Sequence, residues 1–85
     1  MQLIDVREDW ERAVGAILPS AHIPLGQLVS GSANDVIATL DAGKPTVIYC
    51  AHGMRSLKAL AVLRERYGFT NAQSLRGGYE EWKTL

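Results

Sequence analysis

Thr46-Val47-Ile48-Tyr49 is the segment that most constrains this chain. It is short, β-branched and apolar on both sides, the pattern of a strand buried on both faces. In a chain of 85 residues there is room for one core, so this strand belongs to one small sheet between layers of helix. The flanking sequence alternates accordingly. Leu3–Val6, Ala21–Ile23 and Ala72–Leu75 read as further strands, the second closed by Pro24. Glu8–Val14 carries Trp10, Ala13 and Val14 at helical spacing, and Leu25–Leu28 reads as a turn or short helix. Ala33–Ala42 reads as a helix with Val36, Ile37 and Leu40 on one face, Ser32 or Asn34 as its cap and Gly43 at its end. Ser56–Tyr67 is the strongest helix, with Leu57, Leu60, Ala61 and Leu63 as its apolar stripe and Gly68 as its stop. A final helical turn containing Trp82 follows Gly77-Gly78. The expected architecture is α/β: a small parallel β-sheet flanked by helices on both faces, in one domain over residues 1–85.

Composition removes several function classes. Nine Lys and Arg balance nine Asp and Glu, which excludes a global basic field for nucleic acid. The longest apolar run is far short of the roughly 20 residues a membrane span needs. The N-terminal residues lack a basic stretch followed by an apolar run, so no signal peptide is expected and the default location is cytoplasmic. A lone cysteine, Cys50, excludes an intrachain disulfide, and with only His22 and His52 beside it no Cys/His zinc site is expected.

The thiol itself stands in a telling place. In parallel α/β sheets, reactive groups collect beyond the carboxyl ends of strands. Cys50 follows Tyr49 directly, and Cys50-Ala51-His52-Gly53-Met54-Arg55-Ser56 leads into the strongest helix. A helix N-terminus offers unpaired N–H groups and positive potential, which lower a thiol pKa. Gly53 lets the loop curl, Arg55 adds a planar cation suited to a sulfonate or phosphate, and Ser56 can cap the helix or donate to a thiolate. His52 and Met54 are expected to shape the pocket rim rather than act as a base. The competing reading of Cys50 is an inert buried residue.

Cys50-x4-Arg55-Ser56 after a Val-Ile-Tyr strand resembles the active-site loop of the rhodanese-like sulfurtransferases. Leu3-Ile4-Asp5-Val6-Arg7 is similar to the family's opening strand, Ile23-Pro24-Leu25-Gly26-Gln27-Leu28 to its central segment, and Leu75-Arg76-Gly77-Gly78 through Trp82 to its closing one. Four motifs in order cover nearly the whole chain. Two departures stand out. Gly15-Ala16-Ile17-Leu18-Pro19-Ser20 lacks the family's usual His and final Gly, and no strand and helix precede the Asp5 strand, so a sheet one strand short is expected.

The resemblance implies a three-layer α/β/α fold and sulfur transfer through a Cys50 persulfide. The donor would be a small anion such as thiosulfate. The acceptor would be cyanide, a thiol or a protein, including an acidic-tailed sulfur carrier drawn by Lys44, Arg55, Lys58, Arg64 and Arg66. Ala51 to Ser56 would bind the donor, with Arg55 orienting its sulfonate, and no cofactor is called for. Asp5 and Arg7 would support the loop or form a structural ion pair. The alternatives are a cysteine phosphatase, whose loops place five residues rather than four between Cys and Arg, and a non-catalytic docking module.

Overall fold

The computed structural model describes residues 1–85. Four parallel strands form one sheet in the order β2-β1-β3-β4. They are β1 (Gln2–Asp5), β2 (Ala21–His22), β3 (Thr46–Tyr49) and β4 (Ala72–Ser74). The helices are α1 (Asp9–Val14), α2 (Leu25–Ser30), α3 (Asn34–Ile37), α4 (Met54–Tyr67) and α5 (Gly78–Trp82). The strand read as buried on both faces lies inside the sheet: β3 pairs with β1 over Gln2↔Thr46 to Asp5↔Tyr49 and with β4 over Thr46↔Ala72 to Ile48↔Ser74. Both edge strands are short, with two residues in β2 and three in β4, which leaves little open edge for another chain to extend.

Period-two alternation divides the sheet into two unlike faces. Ile4, Val6, Ile48 and Cys50 join Leu28, Ile37, Ala59 and Leu63 in one apolar core beneath α2, α3 and α4. Asp5 and Tyr49, also fully buried, belong to the alternate positions and meet residues of α1 and of the segment after it.

Three elements differ from the sequence reading. The helix expected over Ala33–Ala42 stops at Ile37, because Thr39 N–H and Leu40 N–H reach back only three residues and the Thr39 hydroxyl takes the Val36 carbonyl. Neither Ser32 nor Asn34 caps it: Ser32 pairs with Ser30, and Asn34 accepts from Tyr67. The apolar stripe of α4 is rotated. Ser56, Ala59 and Leu63 face the core, while Leu57 and Ala61 are exposed. Helix α1 is turned over: none of its residues is buried, and Trp10 and Val14 are 71% and 87% exposed.

Candidate active site

Helix α4 begins two residues before the expected Ser56, so the turn after β3 is only Cys50 to Gly53. The tight curl depends on Gly53, the residue before the helix, whose φ of 103° is open to glycine and strained for other residues. That curl turns backbone donors onto the cysteine. Gly53 N–H lies 3.1 Å and Ser56 N–H 3.3 Å from Cys50 Sγ. The Ser56 hydroxyl is 3.5 Å from the sulfur and 2.6 Å from the Ser74 hydroxyl on β4. The Ser56 hydroxyl also donates to the Gly53 carbonyl at 3.1 Å, so it is the Ser74 hydroxyl that donates to Ser56.

Burial pushes the Cys50 thiol up. The Ser56 hydroxyl and N–H, with the Gly53 and His52 N–H groups, outweigh burial and hold it below the ordinary 9.0. The residue is 1% exposed, so a sulfur added to Sγ would sit inside the curl and not in open solvent.

The closing segment is stitched to the same loop. Tyr79 N–H donates to the Cys50 carbonyl at 2.8 Å, and Glu80 N–H to the Ala51 carbonyl at 3.0 Å. Gly78, at φ 64°, packs so tightly that a Cβ would lie 2.5 Å from both carbonyl oxygens. Two cavities flank the loop. One, of about 280 Å³, runs from His52, Gly53 and Met54 to Ser74 and Arg76. The other, of about 460 Å³, lies between α1 and α5 beside Ala51 and His52. His52 borders both, and Met54 and Arg76 line the smaller one.

Asp5 and Arg7 form a buried ion pair at the end of β1. Arg7 donates to both Asp5 oxygens at 3.0 and 2.9 Å and to the Gly15 carbonyl at 2.7 Å. Its guanidinium lies 4.4 Å from the centre of the Tyr79 ring and 5.4 Å from that of Tyr49. Arg12 and the Tyr49 hydroxyl also donate to Asp5. Burial pushes the Asp5 carboxyl up, and the Arg7 and Arg12 contacts more than reverse this, leaving it below its usual range. Arg7 thus packs against Tyr49 of β3 and Tyr79 of α5, and the pair is a buried structural ion pair.

Arg55 is engaged otherwise than the sequence suggested. Its guanidinium binds Glu11 of α1 with both nitrogens, at 2.6 and 2.8 Å. Arg64 and Arg66 lie in the last turn of α4, at the opposite end from the loop, and donate to the Ala72 and Val29 carbonyls. The expected cationic collar is therefore dispersed. The sequence reading passed over Glu11, Arg12, Ser74 and the Tyr49 hydroxyl. Only Glu11 left a trace, as the fourth residue of Glu8-x-x-Glu11, the spacing of a capping box, which it forms.

A parallel sheet that sets one buried thiol against two N–H donors at a helix start defines an α/β domain with a cysteine loop beyond the carboxyl end of an inner strand. The family profile of the rhodanese-like domain matches residues 1–85, and the chain belongs to that family. Thiosulfate sulfurtransferase GlpE of Pseudomonas aeruginosa is 37% identical over 84 residues, covering 99% of this chain and 71% of that protein. A rhodanese-related protein from Thermoplasma volcanium superposes with a TM-score of 0.79 at 31% identity, covering 98% of this chain and 76% of that one. A human single-domain sulfurtransferase gives 0.76 at 30% identity, with 98% and 80% covered. Membership together with these relatives supports sulfur transfer as the general activity. No helix is long and apolar enough to cross a membrane.

Proposed function

We propose that the chain is a single-domain sulfurtransferase that carries sulfane sulfur on Cys50, from a small donor such as thiosulfate to a thiophilic acceptor. The observation that carries this reading is the pair of N–H groups, from Gly53 and Ser56, directed at Sγ. In the first step the Cys50 thiolate attacks the outer sulfur of thiosulfate. The Cys50 S–S bond forms, the donor's S–S bond breaks, and sulfite leaves with the electron pair. The persulfide anion takes over the N–H donors that held the thiolate. In the second step cyanide, or the thiolate of an acceptor, attacks the outer sulfur and regenerates Cys50. One cysteine completes the cycle, because no resolving thiol takes part.

Loop chemistry favours sulfur over phosphate. Four residues, not the five of cysteine phosphatases, separate Cys50 from Arg55. The Gly53 and Ser56 N–H groups converge on one atom, which suits a single transferred sulfur better than a phosphoryl group with three oxygens to hold. Donor binding is assigned to Ala51 to Ser56, of which Ala51, His52, Gly53 and Met54 border the flanking cavities, with Asp5 and Arg7 as support.

The test is intact mass after incubation with thiosulfate. The wild-type protein gains one sulfur atom and loses it to cyanide, and Cys50→Ala neither gains sulfur nor forms thiocyanate. Thiocyanate formation by Cys50→Ala would remove the assignment. Hydrolysis of a phosphate ester by the wild type without sulfur uptake would replace it with a phosphatase.

A further inference from the structure

We propose that Glu11 is a positioning residue of the cysteine loop: by holding Arg55 it fixes the loop and removes a cation that an anionic donor would otherwise meet. The proposal rests on the sulfur-transfer reading and adds which donors the site prefers.

Three observations carry it. The Glu11–Arg55 contact is bidentate, with a Glu11 side chain only 11% exposed, and it joins α1 to the residue next to Ser56. Such a fork-to-carboxylate pair fixes geometry as well as charge. Secondly, α1 has no apolar anchoring of its own. Its apolar Trp10 and Val14 point outward, while Glu11 and Arg12 reach inward to Arg55 and Asp5. A six-residue helix held in this inverted way is placed by its ion pairs, and one of them ends on the loop. Thirdly, Glu11 Oε1 also accepts the Glu8 N–H at 3.0 Å, so the start of α1 fixes the carboxylate from behind.

The consequence is a loop whose one permanent charge is neutralised. Nearby, Asp5 is matched by Arg7 and Arg12, and Glu80 by Lys83. Glu8 just before α1, His52 on the rim and Arg76 across the smaller cavity complete the surroundings of Arg55 and the thiol. With Arg55 neutralised, the sulfur is met by N–H groups, Arg76 is the cation left on the cavity wall, and the site discriminates less in favour of a dianion than a loop with a free Arg55 would.

Glu11→Gln tests this while keeping the shape and the acceptor oxygen for Glu8 N–H. Arg55 then carries an uncompensated charge. Initial rates are measured with thiosulfate, a dianion, and with an alkanethiosulfonate, a monoanion, at low ionic strength with cyanide as acceptor. Cys50 attacks the outer sulfur of either, and sulfite or the alkanesulfinate leaves with the electron pair. The expected result is a several-fold lower KM for thiosulfate, a smaller fall for the thiosulfonate, and a Cys50 alkylation profile shifted to lower pH. Glu11→Asp, which restores the charge, returns the donor preference toward wild type. Equal losses of kcat with both donors, or no change in donor ratio and alkylation profile, would overturn the proposal. The alkylation profile needs no sulfur donor. A wild type that takes up no sulfur, but whose Cys50 profile still shifts in Glu11→Gln, removes the sulfur-transfer reading and leaves the loop-charge role of Glu11 standing.

Discussion

The surroundings of Cys50 are set by residues that follow it directly in the chain. Ser56 is the most informative of them, since its N–H and hydroxyl both meet the sulfur. With the thiol held below 9.0, the acid limb of kcat/KM is expected to lie below that value. Ser56→Ala removes the hydroxyl alone and should shift the limb upward, read as alkylation rate against pH. Asp5 gives a second expectation. Its replacement by Asn leaves the buried Arg7 without a counter-charge, and loss of one partner of a buried pair costs about 3 kcal/mol, measurable by urea unfolding. The cysteine and its loop were legible because strand end, glycine, cation and serine are adjacent in sequence. Glu11 was not, because an acid in a first helical turn reads equally well as a partner of the helix dipole. What singles it out is Arg55, which lies far along the chain and close in space.

At the scale of elements, β3 was readable as a β-branched run apolar on both sides, and α4 as a long helical stretch that stops at Gly68. Helix α3 was misjudged in length, since Val36, Ile37 and Leu40 keep a helical spacing even where the chain has tightened into three-residue turns. Helix α1 was misjudged in orientation. Apolar residues at helical spacing normally mark the buried face, but ion pairs to Asp5 and Arg55 set this one. The closing segment yields a prediction of its own. Gly78→Ala places a methyl against the Cys50 and Ala51 carbonyls in a left-handed conformation. It should cost about 2 kcal/mol and reduce sulfur uptake by more than the loss of folded protein accounts for, checked by comparing activity per folded molecule.

For the molecule as a whole, the acid side of its stability follows from two carboxylates. Asp5 and Glu11 both titrate below their ordinary values of 3.8 and 4.5 when folded. The unfolded chain binds protons more readily there, so their contribution is complete above those values and disappears as pH falls through the folded ones. Thermal melts should show little effect of these two groups from pH 7 to about 5 and a steep fall below about pH 4. The fall should flatten in an Asp5→Asn, Glu11→Gln double variant. Four parallel strands and the placing of the thiol were legible from alternation alone. The division of the sheet into an apolar face and a charged one was not, because an Asp and an Arg two residues apart show nothing of Arg12, Tyr49 and Tyr79, which close over them from elsewhere in the chain. The stitching of α5 onto the Cys50 and Ala51 carbonyls bears on how the protein is made. Synthesis runs from the N-terminus, so the thiol leaves the ribosome well before Gly78–Trp82 does. The carbonyls of Cys50 and Ala51 therefore find their Tyr79 and Glu80 partners only once that later helix docks, so the loop made first is clamped from behind by an element made after it.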